Sequence, residues 1–323
     1  MSGADAPACW AVTTGETGMI SQVTGLAEAV GIRFALKTVG LRAPWRWLPG
    51  HLCPWALYGL DASSDALGVP PWPDLLITCG RRAVAVSIAV RRASAGRTFT
   101  LHVQDPKVPP DRFDLVLAPR HDGVSGGNVI QTRAALHGVT PERLAAAAEH
   151  FAKLFGALPR PRVAVLIGGT SRAYRLSPAI ARGLATRLAG LAHGAAAGLM
   201  VTASRRTGAQ NMTILRDGLR GTGAYIWDGA GENPYFGMLA LADHLLVTED
   251  SVSMVSEACA TGKPVQTIAL EGGTERLRAF HRGLIEDGHT RPFEGRLESW
   301  DTKPLLETQD CAKLVREKLA LKT

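Results

Sequence analysis

Short apolar runs alternate with amphipathic stretches along most of the chain, a pattern that predicts an α/β protein with parallel sheets. Strands are predicted at 10–14, 33–39, 74–79, 98–103, 114–118, 163–167, 199–203, 224–227, 245–247 and 265–270. Helices are predicted at 19–30, 82–92, 141–155, 274–286 and 308–321. Two more are predicted: one begins at residue 178, and the other follows the strand 199–203 and ends at about residue 219. The proline-rich segment 156–162 interrupts this pattern and predicts a linker. We therefore expect two doubly wound, Rossmann-like α/β domains facing each other across a cleft: residues 1–157, and residues 158–323 with a terminal helix that packs back on the first domain.

Composition narrows the class of protein. A hydrophobic content of 46% and a charged content of 20% are typical of a soluble globular protein, and no apolar run reaches the length of a membrane span. Five scattered cysteines without a CxxC pair favour a reducing compartment and exclude a zinc-finger pattern, and residues 1–12 lack the pattern of a secretory signal, so a cytoplasmic location is expected. The net charge of +7 is spread over both halves, which fits a phosphate-bearing ligand or an anionic membrane surface better than a nucleic acid.

The segment 245–265, LLVTEDSVSMVSEACATGKPV, predicts a strand, a polar turn, a short helix and a second strand. Ligands of open parallel sheets bind where strands end and helices begin. Asp250 or Ser251 is positioned to cap the helix, whose exposed N–H groups attract phosphate. This segment therefore predicts part of a ligand site.

Three other polar loops follow strands of the second half and belong to the same edge of the sheet. Together with the loop 248–251 they make four polar loops at one edge. The three loops contain Gly168, Gly169, Thr170, Ser171, Ser204, Arg205, Arg206, Thr207, Asp228, Gly229, Gly231, Asn233, Pro234 and Tyr235. Glycines allow backbone N–H groups to approach an anion closely, hydroxyls add donors, and arginines bind phosphate in a bidentate manner. Alternatively, Gly168 and Gly169 form only a tight turn, and one of the two arginines is solvated.

Glu257 lies one helical turn after Ser253 and, near a phosphate-binding helix terminus, is placed to accept both hydroxyls of a ribose. The alternative is an ordinary solvent-exposed helix glutamate. Ser253 and Met254 complete the donor-binding set, and Asn233 and Tyr235 are expected beside the sugar or the diphosphate.

The segment 248–265 resembles the donor site of GT-B glycosyltransferases. In the GlcNAc transferase that completes the lipid-linked peptidoglycan precursor and in its relatives, a serine-rich turn leads to a helix with a ribose-binding Glu, followed by Gly-Lys-Pro. The matching residues here are Ser251, Ser253, Glu257, Gly262, Lys263 and Pro264. The loop 168–171 is similar to the phosphate loop of the same enzymes. The resemblance implies two facing α/β domains, with a nucleotide-sugar bound by the C-terminal one.

A second resemblance covers nearly the whole chain and is to the mitochondrial-fission Elm-type family. It rests on HVQDPKVPPDRFDLVLAPRHDG (102–123), GGNVIQTRAALHG (126–138), IGGTSRAY (167–174), SRRTG (204–208), WDGAGENPYFGMLALAD (227–243) and VTEDSVSMVSEACATGKPV (247–265). Plant members are implicated in recruiting a dynamin-like protein to mitochondria, whereas bacterial members resemble GT-B glycosyltransferases. The composition of this chain is typical of a bacterial member.

Candidate catalytic residues lie in the first half. His121 and Asp122 follow the strand 114–118, and an inverting transfer needs a base for the acceptor hydroxyl. Asp122 is the first choice, with His121 orienting it or acting instead; alternatively Asp122 and Asn128 organise the loop between them. Glu16 is a further candidate, although relatives tend to have an Asp-Gly-Lys-like loop where this chain has Thr14, Gly15 and Glu16. No Asp-x-Asp pair is present, so no metal is expected.

Segment 41–60 holds Trp45, Trp47, Trp55 and Tyr58 together with Arg42 and Arg46, a composition typical of a membrane interface. Core packing of an insertion is the alternative. If the tryptophans lie at the surface, they predict a peripheral membrane contact and a lipid-linked acceptor.

These features together predict a metal-independent glycosyltransferase. It would move a sugar from a nucleotide-diphosphate sugar, expected to be a UDP-sugar, to a lipid-linked or glycan acceptor at the inner face of the cytoplasmic membrane. No cofactor is expected beyond the donor substrate. A non-catalytic GT-B-like adaptor that binds a protein partner and a UDP-sugar epimerase are the alternatives.

Overall fold

Two parallel six-stranded sheets organise the chain, as the alternation of strands and helices predicts. The structure, a computed structural model, describes residues 8–53 and 55–321. The chain divides into one unit formed by Met1–Gly138 with Leu306–Thr323 and a second formed by Val139–Leu305. Each unit has its own sheet and its own apolar core.

The described part of the first unit contains six strands, two α-helices before the second unit begins and one after it, with an irregular insertion between β2 and β3. Its elements are β1 (Cys9–Thr13), α1 (Thr17–Val30), β2 (Phe34–Thr38), β3 (Leu75–Cys79), α2 (Arg81–Ala93), β4 (Phe99–Val103), β5 (Leu115–Pro119) and β6 (Val129–Thr132). The strand order is β2-β1-β3-β4-β5-β6. The central strands β1, β3, β4 and β5 are buried along their whole length, as in parallel sheets covered on both faces. The edge strand β6 was not predicted, because it is short and only half-buried.

The second unit has the same layered architecture with a different strand order. Its elements are α3 (Pro141–His150), α4 (Ala152–Phe155), β7 (Arg162–Ile167), β8 (Tyr174–Arg175), α5 (Pro178–Gly194), β9 (Gly198–Ala203), α6 (Ala209–Gly218), β10 (Tyr225–Ile226), α7 (Tyr235–Leu241), β11 (His244–Thr248), α8 (Val252–Cys259), β12 (Val265–Ile268), β13 (Glu271–Gly272), α9 (Glu275–Glu286) and β14 (Thr290–Pro292). The main sheet has the order β10-β9-β7-β11-β12-β14, and β8 pairs with β13 in a separate antiparallel ribbon.

The last helix, α10 (Glu307–Ala320), returns to the first unit and packs on α1. Cys311, Ala312 and Val315 are buried in the same core cluster as Leu26 of α1. At the start of α10, the Glu307 carboxylate accepts a hydrogen bond from the Arg133 guanidinium at 2.7 Å. The terminal helix is therefore part of the first unit although it follows the second in sequence.

The division between the units differs from the predicted boundary after residue 157. Helix α3 packs on α7 of the second unit, where the guanidinium of Arg143 lies 3.9 Å from the ring centroid of Phe236. Gly237 of α7 lies directly against the ring of Phe151, so close that a Cβ there would be 2.5 Å from it. Because these contacts are made between segments far apart in sequence, the proline-rich run 156–162 gave a misleading boundary.

Two predicted helix starts are confirmed. The Thr140 hydroxyl accepts a hydrogen bond from Arg143 N at the start of α3, and the Ser177 hydroxyl accepts one from Ile180 N at the start of α5. In both helices a proline occupies the first position, where its missing N–H costs no hydrogen bond.

Candidate functional site

The second sheet reverses its order between its two central strands, β7 and β11. Strands β9 and β10 lie beyond β7, whereas β12 and β14 lie beyond β11. The loops that leave two such strands diverge, and ligands of doubly wound proteins bind in the crevice at their carboxyl ends. The loops after β7 and β11 therefore flank the position where a ligand is expected.

The loop after β7 already uses its backbone N–H groups within the protein. Four hydrogen bonds account for them: Gly168 N to Thr248 Oγ1 (2.7 Å), Gly169 N to Asp250 Oδ2 (2.9 Å), Thr170 N to Arg206 O (3.1 Å) and Ser171 N to Tyr174 O (2.8 Å). The expectation that Gly168 and Gly169 present free amides to an anion is therefore wrong, because neighbouring loops occupy these donors. The Thr170 side chain is exposed at the same edge.

The two glycines are explained by packing. A Cβ on Gly168 would lie 2.2 Å from Oδ1 of Asp250, and a Cβ on Gly169 would lie 2.1 Å from the carbonyl oxygen of Arg206. Such approaches are shorter than any van der Waals contact, so only glycine lets the loops after β7, β9 and β11 meet this closely. The Gly-Gly pair is therefore needed for these three loops to pack against one another.

Asp250 lies where the loops after β7, β9 and β11 meet, a contact that we call the loop junction. Its side chain is fully buried, accepts a hydrogen bond from the Thr248 hydroxyl at 2.7 Å, and lies 2.8 Å from the Arg206 guanidinium. Burial raises the pKa of the Asp250 carboxyl, while its hydrogen bonds and Arg206 oppose that rise. Ser204 adds a further link, because its hydroxyl donates to the Gly168 carbonyl at 3.0 Å.

The two adjacent arginines therefore have different environments. Arg206 is paired with Asp250, whereas Arg205 is exposed and forms no ion pair with any residue in the described ranges. Of the two, Arg205 is the one whose guanidinium is available to an external anion.

The start of α8 offers the amides that the β7 loop does not. Ser251 is the N-cap, and its hydroxyl accepts a hydrogen bond from Met254 N at 3.4 Å. Within residues 8–53 and 55–321, the N–H groups of Val252 and Ser253 have no hydrogen-bond acceptor. Unsatisfied first-turn amides together with the positive end of the helix dipole form a site for an anion.

Glu257 lies further along α8 and is buried rather than solvent-exposed. The Tyr235 hydroxyl, at the start of α7, donates to Glu257 Oε2 at 2.5 Å. Burial, and next the Glu257 carboxylate, raise the pKa of Tyr235 well above its ordinary value, so this hydroxyl remains a donor. Asn233 is exposed and accepts a hydrogen bond from Tyr235 N at 3.1 Å. The structure thus brings Asn233, Tyr235 and Glu257 together.

Lys263 supports this arrangement from the other end of α7. Its ammonium donates to the carbonyls of Leu239 at 2.9 Å and Ala240 at 2.5 Å, in the last turn of the helix. Burial lowers the pKa of Lys263 to about 8. The Gly-Lys-Pro motif therefore anchors the helix whose first residue, Tyr235, holds Glu257.

Asp122 occupies a different setting in the first unit. Its side chain is only 2% exposed, its Oδ2 accepts from Asp105 N at 3.3 Å, and its Oδ1 lies 3.5 Å from His121 Nε2. The Asn128 amide donates to the carbonyls of Pro110 and Phe113. Asp122 thus joins the loops after β4 and β5, and Asn128 bonds to the segment 110–113 rather than to the loop between Asp122 and itself.

Glu16 is exposed at the carboxyl end of β1, where it precedes α1. The Thr14 hydroxyl donates to its carboxylate within the same loop. In the described chain Glu16 is thus the sequence-predicted carboxylate of the first unit that solvent reaches freely.

The tryptophans of the insertion divide into two groups. Trp45 is half-buried, packs directly on Gly59 and joins the core of the first unit, so its assignment to a surface contact is wrong. Trp47 and Trp55 are 65% and 74% exposed, and Tyr58 is 76% exposed beside them. Of the four aromatic residues predicted to form a surface, Trp47, Trp55 and Tyr58 are therefore exposed, and Trp45 is not.

The ribbon formed by β8 and β13 was missed from the sequence. It lies after the carboxyl ends of β7 and β12, and the Ser177 hydroxyl donates to Glu271 Oε1 at 2.7 Å. Nearby, Glu249 is half-buried, and burial raises the pKa of its carboxyl.

No group of three or more potential metal-ligating side chains occurs among the described residues. None of the helices within that part of the chain is long and apolar enough to cross a membrane.

The architecture of the two units is that of the GT-B fold. UDP-GlcNAc 2-epimerase of Methanocaldococcus jannaschii, solved in complex with UDP-GlcNAc and UDP, superimposes with a TM-score of 0.56 at 14% identity, covering 96% of this chain and 99% of that one. MurG of Acinetobacter baumannii superimposes with a TM-score of 0.50 at 12% identity, covering 97% and 92%. At these identities the likeness defines the fold alone.

The sequence comparison defines the family. A family model described as mitochondrial fission ELM1 matches residues 17–319, so the chain belongs to that family. Mitochondrial fission protein ELM1 of Arabidopsis thaliana is 32% identical over 275 residues, which cover 77% of this chain but 64% of the plant protein. An uncharacterized protein of Rickettsia prowazekii is 25% identical over 293 residues, covering 77% of this chain and 80% of that protein. The resemblance inferred from the motifs is thereby confirmed.

Proposed function

We propose that the protein is a glycosyltransferase that uses a nucleotide-diphosphate sugar, and that its second unit binds this donor. The observation that carries the proposal is the geometry of α8. Its open first-turn amides lie at the reversal point of the sheet, and a buried carboxylate oriented by a tyrosine lies one turn further along the same helix. The diphosphate anion and the ribose diol of one nucleoside diphosphate have a spacing that matches the separation of these amides and this carboxylate.

The diphosphate is assigned to the amides of Val252 and Ser253, to the Arg205 guanidinium and to the hydroxyls of the β7 loop. Gly168, Gly169, Asp250 and Arg206 hold this site in shape without contacting the donor, as their mutual hydrogen bonds and ion pair require. Helix amides and an arginine together neutralise the charge of a departing diphosphate, so the reaction needs no metal ion in this proposal.

Ribose is assigned to Glu257, with Tyr235 as the residue that orients it. A buried carboxylate accepts two hydroxyl hydrogen bonds more strongly than a solvated one, and Tyr235 fixes its position. Asn233, exposed beside Tyr235, is assigned to the sugar or the phosphate next to it. The UDP-GlcNAc bound in a solved structure of the same fold supports a UDP-sugar as donor.

The catalytic base is assigned to Glu16 in preference to Asp122 and His121. A base must reach the proton that it removes, and the side chains of Asp122 and His121 are 2% and 4% exposed. Glu16 is exposed at the carboxyl edge of the first sheet, which we assign to the acceptor. Asp122 then positions the loop that contains Asp105.

A peripheral contact with the cytoplasmic face of a membrane is also proposed, through Trp47, Trp55 and Tyr58. Aromatic side chains that are more than half exposed favour the headgroup region of a bilayer. Flotation with liposomes that contain phosphatidylglycerol should recover the wild type, and a Trp47→Ala/Trp55→Ala variant should remain in the bottom fraction. Flotation of neither protein would contradict the contact.

Turnover of a panel of UDP-, GDP- and CMP-sugars tests the proposed reaction. Hydrolysis or transfer from one UDP-sugar, with release of UDP, is the expected result. Interconversion of two UDP-sugars would instead establish the epimerase suggested by solved structures of the same fold. The absence of both turnover and a thermal shift with any nucleotide would contradict the proposal and favour the protein-binding adaptor suggested by the family description.

A further inference from the structure

A large apolar groove lies within the first unit, between α2 and the insertion that contains the exposed aromatics. Its volume is about 920 Å³, within the range of about 300–1,000 Å³ that is typical of small-molecule sites. Its lining includes Trp55, Tyr58, Val69, Trp72, Ala89 and Arg92. The groove is separate from every residue assigned to the donor.

One wall of the groove is a face of α2. Ala85, Ala89 and Ala93 are spaced four residues apart, so they form a shallow stripe along one side of the helix. The facing wall contains aromatic rings, of which Trp55 is 74% exposed. Val69 on the rim is 61% exposed. On the helix wall Ala93 is exposed and Ala89 half-buried, whereas Ala85 is only 3% exposed at the inner end. Apolar surface that water reaches gains free energy when a hydrocarbon chain covers it.

The charged side chains near the two ends of the groove are all arginines, so both ends are positive. A small cavity next to it shares Gly50, Cys53 and Ala85 with it, and is lined in addition by Arg46, Arg81 and Arg82. Arg92 lines the far end. No Asp or Glu lines either cavity in the described part of the chain. The groove therefore complements an anionic group attached to an apolar chain.

The direction of the groove is set by the fold. Helix α2 begins directly after β3, so Arg81 and Arg82 lie at the carboxyl edge of the first sheet. Its first turn contains no acidic residue, which leaves the positive end of the helix dipole and two guanidinium groups together. Ala93 lies about 18 Å from Arg81 along the helix axis, at a rise of about 1.5 Å per residue.

We propose that this groove binds a lipid phosphate, with the phosphate at Arg81 and Arg82 and the hydrocarbon chain over Ala89 and Ala93. A peptide would need acceptors for its backbone N–H groups, and among the described residues no Asp, Glu, Asn or Gln side chain lines the groove. The phosphate end lies at the edge assigned to the acceptor, so the bound lipid is the acceptor or its carrier. That last identification rests on the proposed function, whereas lipid binding itself does not.

Titration with farnesyl phosphate tests the proposal, because Trp55 and Trp72 line the groove and report occupancy through their fluorescence. The wild type should bind farnesyl phosphate at least about tenfold more tightly than farnesol, because only the phosphate engages the arginines. Inorganic phosphate alone should not change the fluorescence. Equal affinity for farnesol and farnesyl phosphate, or no binding of either, would overturn the proposal.

Two kinds of variant locate the ligand. An Arg81→Glu/Arg82→Glu variant should lose at least about tenfold in affinity for farnesyl phosphate while its affinity for farnesol is unchanged. Val69→Glu, at an exposed rim position, should weaken both ligands. Arg216→Glu, at an exposed position of α6, is the matched control and should behave as the wild type. Wild-type affinity in both groove variants would overturn the assignment.

A parallel titration with UDP separates this inference from the proposed function. The groove variants should bind UDP as the wild type does, since none of the altered residues lies in the second unit. Lipid binding without UDP binding would contradict the donor site alone, and UDP binding without lipid binding would contradict the groove alone.

Discussion

The carboxyl edges of the two sheets differ in how their polar side chains are used. In the second unit, Asp250 joins three loops, because it accepts from Gly169 N and pairs with Arg206. In the first unit, the exposed Glu16 carboxylate accepts a hydrogen bond from the Thr14 hydroxyl of its own loop. A buried network between loops fixes a binding geometry in advance, whereas a carboxylate exposed to solvent can change its proton state. The difference supports a preformed donor site in one unit and a reactive edge in the other.

The largest effect on stability is expected at the loop junction of the second unit. Gly169→Ala should lower the free energy of unfolding by about 3 kcal/mol, because its Cβ would overlap the backbone carbonyl of Arg206. Gly15→Ala, in the first unit, should cost only about 1 kcal/mol from its positive φ, since no atom lies in the way. Urea unfolding of both variants measures the two losses in the free energy of unfolding. Equal losses for Gly169→Ala and Gly15→Ala would show that the loop junction is not rigid.

The two carboxylates of the first unit should separate activity from stability. Glu16→Gln should lower kcat by about 100-fold or more without changing the melting temperature, as expected for the loss of a general base. Asp122→Asn should lower the free energy of unfolding by about 1–2 kcal/mol through the Asp105 loop. The reverse pattern, with Asp122→Asn inactive and stable, would restore Asp122 as the base.

The anchor of α7 should give the second unit a pH-dependent stability. The pKa of Lys263 is lowered to about 8 in the folded protein, from 10.5. Between these values the unfolded chain binds more protons, so the free energy of unfolding should rise with pH, by roughly 1–3 kcal/mol. Lys263→Met should abolish the rise when both proteins are unfolded in urea at pH 7.5 and pH 10.5. An identical rise in the variant would contradict this role.

The smallest effect concerns Arg205, the exposed arginine of the proposed donor site. Arg205→Ala should weaken UDP binding by about five- to tenfold, the contribution of one charge-assisted contact. Arg216→Ala removes an equally exposed arginine of the same unit and should leave the affinity unchanged. Equal affinities for both variants would remove Arg205 from the site.

The sequence predicted the fold well where local patterns decide it. The strands that form the two central sheets are strongly apolar runs, and the helix starts at Thr140 and Ser177 follow from local capping chemistry. The two-residue strands β8 and β13 escaped prediction because segments so short have no periodicity. The place of α3 depends on its contacts with α7, which no local pattern encodes.

The candidate site shows the same division. The loops at the carboxyl edge follow from the strand–helix alternation, and Ser251 caps α8 in one of the two ways foreseen. The contact between Tyr235 and Glu257 joins residues 22 positions apart and could not be read from spacing. Asp250 occupies the amide of Gly169 because both are buried at the same junction, a fact of tertiary packing.

Calorimetric titration of UDP into the wild type, Glu257→Gln and Glu286→Gln tests the central claim most directly. Glu286 is an exposed helix glutamate of the same unit, so its variant is a matched control. Glu257→Gln should weaken UDP binding by about 10- to 100-fold, because the amide replaces a charged acceptor of two ribose hydroxyls. Glu286→Gln should bind UDP as the wild type does. Unchanged affinity in Glu257→Gln, or no UDP binding by the wild type, would contradict it.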